Sequence, residues 1–143
     1  MSDAPAKYEG LLRWAFGNTP ALADELLALV LAGKKTATCT ALWQYEIERW
    51  PLPQAGEKSI VVDSAKRPCC IVETTGVEIK RFDEIDAEFA HDEGEGDQSY
   101  EYWRAAHEEY FRGQGRFSPD MMIVCERFRL VEKLPAPAKE SVS

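Results

Sequence analysis

The chain is poor in the residues that build metal centres and disulfide frameworks. It has two histidines, His91 and His107, and four cysteines, Cys39, Cys69, Cys70 and Cys125. None of the cysteines forms a C-x-x-C pair, so neither a zinc site nor a redox motif is expected, and buried free thiols in a reducing cytosol are the natural reading. No apolar run reaches the length of a membrane span. The opening Met1-Ser2-Asp3-Ala4-Pro5 lacks the basic and apolar regions of a signal peptide, so a cytoplasmic location is expected. Nucleotide chemistry of the familiar kinds lacks its motifs. No G-x-x-x-x-G-K-[ST] is present, and no G-x-G-x-x-G follows a strand. A G-x-S-x-G elbow is missing, as is H-x-E with paired cysteines, which removes the serine-hydrolase elbow and the zinc deaminases.

What remains is a 143-residue chain, 45% hydrophobic, of a size for one domain with a real core. Its charge of −8 is uneven. Residues 83–110 hold eleven acidic side chains and a single basic one, Arg104, which leaves the rest of the chain slightly positive. That balance disfavours a non-specific grip on a long polyanion but leaves room for a small nucleoside or a local basic cleft.

Along the chain, residues 1–9 read as a loose leader and 11–16 as a short strand. Thr19-Pro20 opens a helix, with threonine as N-cap and proline at the first position. Leu22, Leu26, Leu29 and Val30 make one apolar face, and Gly33 ends it as a left-handed cap. A strand is expected over 36–40 and a helix over 43–48. A hairpin joins 59–63 to 69–79, with Gly76 marking a bulge. Phe82 to Phe89 suggests one short helix and Ser99 to Arg112 another, with Tyr102, Trp103, Ala106 and Tyr110 facing inward. A last strand spans 121–131, before a tail that is expected to fray. The sum is a single α+β domain with antiparallel strands in succession.

Chemistry concentrates at Gly33-Lys34-Lys35-Thr36-Ala37-Thr38, where two ammonium groups and two hydroxyls follow a helix end. Spacing alone favours a basic turn leading into ordinary strand threonines, because a reactive lysine or threonine needs a tertiary partner. A lysine beside a helix C-terminus is favoured as a cation, so burial would have to lower its pKa before it could act as a base. The second group is the acidic bend from His91 to Asp97, where two glycines let the backbone turn sharply. The third is aromatic: Trp14, Phe16, Trp43, Tyr45, Tyr100 and Trp103. Of these, Trp43 and Tyr45 are the candidates for stacking on a base, although aromatics also fill cores.

Gly33, Lys35 and Thr38 form G-x-K-x-x-T, and at these residues the sequence resembles the ASCH domain family of the PUA-like superfamily. The likeness continues through Trp14-Ala15-Phe16-Gly17, Ala23-Asp24-Glu25-Leu26, Glu73-Thr74-Thr75, Phe82-Asp83-Glu84 and Glu93-Gly94-Glu95-Gly96-Asp97, and covers about residues 11–132. The resemblance implies a PUA-like mixed β-barrel flanked by helices, with the motif in a cleft. Family members were first proposed to bind RNA. Small bacterial ones are amidohydrolases that remove the acetyl group from N4-acetylcytidine, using a lysine, a threonine three residues later and a distant glutamate. By that resemblance Lys35, Thr38 and Glu93 are the catalytic candidates, with Glu95 two residues away as the competing carboxylate. Trp43, Tyr45, Glu95, Ser99 and Arg104 are the substrate-binding candidates. No cofactor or metal is implied, and the expected partner is a nucleoside. A larger relative described as a ribonuclease keeps single-stranded RNA as a second partner, with Lys34, Lys35, Lys66, Arg67, Lys80 and Arg81 as a basic track. A non-catalytic nucleoside sensor is the third reading, and oligomeric state stays open.

Overall fold

A computed structural model describes residues 8–17 and 19–135. The expected leader and fraying tail fall mostly outside them. Five strands form one mixed sheet in the order β1-β3-β4-β5-β2. They are β1 Arg13–Trp14, β2 Ala37–Ala41, β3 Lys58–Val62, β4 Pro68–Arg81 and β5 Met122–Lys133. β1 runs parallel to β3, and all other pairs are antiparallel. β1 and β2 are the two edges, so among the described residues the sheet is open and does not close into the barrel that the resemblance implies. None of the described helices is long and apolar enough to cross a membrane.

The first helix, α1 Pro20–Leu31, begins as its sequence dictates. Thr19 Oγ1 accepts from the Leu22 N–H at 3.1 Å, and proline occupies the first turn. Ala23, Leu26, Leu27 and Val30 are its buried face. Leu22 and Leu29 are only half-buried, so the stripe is rotated slightly from the expected one. Gly33, at φ +83°, turns the chain out of the helix, and the N–H groups of Lys34 and Lys35 both donate to the Leu29 carbonyl. α2 Leu42–Glu48 follows β2 directly. The β3–β4 hairpin and the bulge both form, the latter where the pairing of β4 with β5 slips between Thr74 and Gly76.

The single helix expected over 82–89 is two elements. A 3-10 turn spans Phe82–Glu84, and α3 spans Ala87–Glu93. Asp86 divides them because its carboxylate accepts from the Phe89 N–H at 2.9 Å, making it the N-cap of a new helix. Downstream, α4 Tyr100–Gly113 buries Trp103 as expected, but the rest of its inner face differs from the expected one. Trp103 and Phe111 are buried with His107 between them, whereas Tyr102 and Tyr110 are 44% and 37% exposed. Residues at i, i+4 and i+8 share a helix face, and here that face carries a histidine that a purely apolar count passes over.

Two apolar cores flank the motif. One joins α3 and α4 to β2 and β5 through Ala37, Phe82, Phe89, Trp103, Phe111 and Ile123. The other packs α1 on β3, β4 and β5 through Phe16, Leu26, Val30, Val61, Val72 and Phe128. The segment between α1 and β2 runs along their seam and is stitched to the end of α3, since the Thr36 N–H donates to the Asp92 carbonyl at 2.8 Å. Asp92 in turn pairs with Arg127 on β5. Gly94 caps α3 at φ +75°, and a Cβ there would run into the Lys34 carbonyl. Gly94→Ala should therefore lose about 1–3 kcal/mol in denaturant unfolding, from left-handed strain plus backbone overlap. An unchanged midpoint would contradict this close approach.

Candidate functional site

Lys35 is 1% exposed, which is rare for a lysine. Its Nζ lies 3.0 Å from Glu93 Oε1, 2.8 Å from Glu95 Oε2 and 3.3 Å from the Glu93 carbonyl oxygen. Three acceptors thus use its three protons. The Phe16 ring lies 5.6 Å from the ammonium and closes the other side. Glu93 is equally buried. Its Oε2 accepts from the Trp103 indole N–H at 2.9 Å and lies 3.8 Å from His107 Nε2. The motif lysine and the acidic bend thus meet, and both candidate carboxylates reach the lysine.

The charge states follow from the surroundings. Burial pulls the Lys35 pKa down, but Glu93 and Glu95 together outweigh it and hold the group above 10.5. Burial likewise pushes Glu93 up. The Lys35 charge, with His107, the Trp103 indole and the Cys39 thiol beside it, more than offsets this and keeps it below the usual carboxylate value. The resting site is an ammonium between two carboxylates, and the neutral lysine base contemplated from the sequence is not its resting form.

Thr38 sits on β2 opposite Glu126 of β5 and is half-buried. Among the described residues its hydroxyl has no hydrogen-bond partner. Glu126 itself is pushed up by burial, against the Thr74 hydroxyl that donates to it at 2.6 Å. The remaining candidates lie further out. Trp43 packs against the α3–α4 core under the Arg116 guanidinium, 4.8 Å from its ring. Tyr45 meets Trp50 edge-on at 5.8 Å, and burial, with Glu126 nearby, pushes its hydroxyl up to about 12. Ser99 is the N-cap of α4, accepting from the Tyr102 N–H at 3.0 Å. Arg104 donates to Tyr100 Oη at 3.3 Å and covers the Phe82 ring. Two surface clefts, of about 250 and 290 Å³, lie at Phe16, Pro20 and Ala23 with Val62 and Lys66, and at Gly76–Glu78 with Phe89, Cys125 and Arg127. Neither is lined by Lys35, Thr38, Glu93 or Glu95; of the two carboxylates on the lysine, Glu95 is the one with solvent contact, its side chain keeping 20% exposure.

Sequence reasoning missed Cys39 and left His107 without a role; Trp103, expected to face inward, is in the core and holds Glu93 as well. All three meet Glu93. The i, i+4 spacing of Trp103 and His107 was the available signal; that of Cys39 is visible only once β2 is placed against α3.

A mixed sheet clasped by helices around a buried lysine–carboxylate cluster defines the class of this domain. The ASCH domain family model matches residues 12–132, and the chain belongs to that family. It is similar to protein EF3133 from Enterococcus faecalis V583, at 35% identity over 85% of this chain and 77% of that one, with a TM-score of 0.76. It is similar also to an ASCH domain from Lactobacillus crispatus JV V101, at 31% identity over 88% and 82%, with a TM-score of 0.78. Hypothetical protein PH0355, at 18% identity and a TM-score of 0.56 over 84% of this chain and all of that one, shares the fold. No protein of curated function matches the sequence.

Removing one member of a buried ion pair leaves the other unpaired. Lys35→Met should lose about 3–5 kcal/mol, and Lys35→Met with Glu93→Gln should regain a good part of it. A lysine held above 10.5 lends its full stabilisation below that pH and loses it as the pH climbs through the folded value. The advantage of wild type over Lys35→Met, read from paired denaturant titrations, should stay level from neutrality to pH 10.5 and then shrink. An advantage already fading near pH 8 would contradict the assignment.

Proposed function

We propose that this protein is a metal-independent amidohydrolase that removes the acyl group from N4-acylated cytosine nucleosides such as N4-acetylcytidine, releasing cytidine and a carboxylic acid in the cytoplasm. The observation that carries the reading is the buried Lys35 cation, held by two carboxylates at the family motif. Buried ion clusters of this kind contribute little net stability, and their perturbed groups gather at functional sites. The family resemblance supplies the substrate class.

In this reading the substrate displaces Glu95 from Lys35. One ammonium proton is then free to meet the acyl oxygen as it becomes an oxyanion. Thr38 Oγ forms the new bond to the acyl carbon. Its proton passes to a carboxylate of the cluster and on to N4 of the departing cytosine, and water then frees the acyl group from Thr38. Glu93 corresponds to the family's glutamate and fixes Lys35 from the buried side. Glu95 faces the entry. Stacking falls to Trp43 and Tyr45, with Ser99 and Arg104 as further contacts on α4.

Single-stranded RNA draws less support. Lys35 is buried, Arg67 pairs with Asp63, Lys80 with Glu78 and Arg81 with Asp83, so four of the six residues of the expected basic track are neutralised or hidden.

Wild type should release cytidine from N4-acetylcytidine in a chromatographic assay that responds little to added salt. Lys35→Ala and Thr38→Ala should each lower kcat/KM by about 10²-fold or more. Comparing Glu93→Gln with Glu95→Gln assigns the proton carrier: the larger fall in kcat marks it. No release from any N4-acylcytosine nucleoside would end this reading.

A further inference from the structure

Glu93 has a second side that the hydrolytic scheme does not use. Its Oε2, away from Lys35, lies 3.8 Å from His107 Nε2 of α4, and one ligand atom from each of Cys39 of β2, Glu93 and His107 lies within 4.8 Å of the others. The positions 39, 93 and 107 form no sequence motif; three separate elements bring them together.

The orientation of His107 is that of a metal-ligating histidine. Its Nδ1 lies 2.9 Å from the Trp103 carbonyl oxygen. A carbonyl can only accept, so Nδ1 carries the proton, and in the neutral ring Nε2 presents its lone pair 3.8 Å from a carboxylate oxygen. Two acceptors facing each other repel unless a proton or a cation lies between them. An Nδ1–H donated to a backbone carbonyl is how proteins fix the tautomer that ligates through Nε2. The Trp103 ring, stacked 4.4 Å from the imidazole, holds its plane. Cys39 is a free thiol on a strand anchored by buried Ala37 and Ala41 on either side.

We propose that Cys39, Glu93 and His107 form a binding site for a borderline-soft divalent cation of the Zn²⁺ class. Sulfur, imidazole nitrogen and a single carboxylate oxygen suit a tetrahedral ion, with water as the fourth ligand. Bond lengths of about 2.0–2.3 Å put tetrahedral ligands roughly 3.3–3.8 Å apart, so no edge of this triangle has to close by more than about 1.5 Å on binding. On binding, the Cys39 S–H bond breaks, its proton leaves to solvent, and the sulfur pair forms the bond to the ion. The dication then balances the thiolate and the Glu93 charge, while Glu93 Oε1 stays on Lys35. The cation competes with the Trp103 indole N–H for Oε2. The binding claim is independent of the amidohydrolase reading, because its measurement needs no substrate.

The full chain, freed of metal by chelation and kept reduced with a phosphine, is titrated with Co²⁺ and then Zn²⁺. Wild type should develop a thiolate-to-cobalt charge-transfer band and tetrahedral visible bands that saturate at one equivalent and are bleached by Zn²⁺. Cys39→Ser should abolish the charge-transfer band, His107→Gln should weaken affinity at least tenfold, and Cys70→Ser should leave both intact. If Cys39→Ser fails to fold, wild-type alkylation mapped by mass spectrometry answers the same question, since Zn²⁺ should protect Cys39 and spare Cys69. Absence of a charge-transfer band in folded wild type, a band that survives in folded Cys39→Ser, or no protection of Cys39 would overturn the site.

Discussion

The ion cluster of Lys35 with Glu93 and Glu95 is the constraint around which this domain is arranged. An ammonium removed from water needs its charge and all three protons matched, and here two carboxylates and a backbone carbonyl match them. Those acceptors sit 58 and 60 residues away in sequence. They arrive only because α3 ends against the segment that follows α1. The Thr36 to Asp92 hydrogen bond, the Asp92–Arg127 pair and the Gly94 cap all serve that meeting. The cluster also ties the two apolar cores together, with Phe16 of one on the lysine and Trp103 of the other on Glu93.

Holding the lysine as a cation changes what it can do. A neutral amine in an apolar pocket would be a base; this one is an electrophile with a proton to lend once a carboxylate is displaced. The two glutamates are unequal. Glu93 is buried and receives Lys35, Trp103 and Cys39, so its position is fixed from several directions. Glu95 stands between Gly94 and Gly96, keeps contact with solvent and can yield. A fixed anion behind the lysine and a movable one in front suit a site that is closed at rest and opened by its ligand.

Much of the fold could be read locally. The Thr19-Pro20 start, the Gly33 stop, the β3–β4 hairpin and the bulge near Gly76 each depend on a few neighbouring residues whose conformational demands are strong. Failures came where tertiary context decides. Asp86 splits a helix because a cap outweighs a continuing apolar spacing. The inner face of α4 was misread because its central residue is His107, whose partners are a tryptophan ring and a distant carboxylate. Barrel closure, inferred from family likeness, is a property of how strand edges meet, and β1 and β2 do not pair. At the site, the motif lysine and the acidic bend were legible as separate clusters. That both glutamates would reach the same ammonium, and that Cys39 and His107 would stand behind one of them, depends on helix placement that no spacing encodes.

The charge state of Lys35 is the point on which both the chemistry and the architecture depend. Selective ¹³C or ¹⁵N labelling of lysine, with Lys35→Met to assign the signal, lets its side-chain resonance be followed against pH by NMR. The account predicts an ammonium that stays protonated past pH 10.5, with its Nζ protons slow to exchange. A Lys35 signal that titrates near neutrality would contradict it and would restore the neutral-base role.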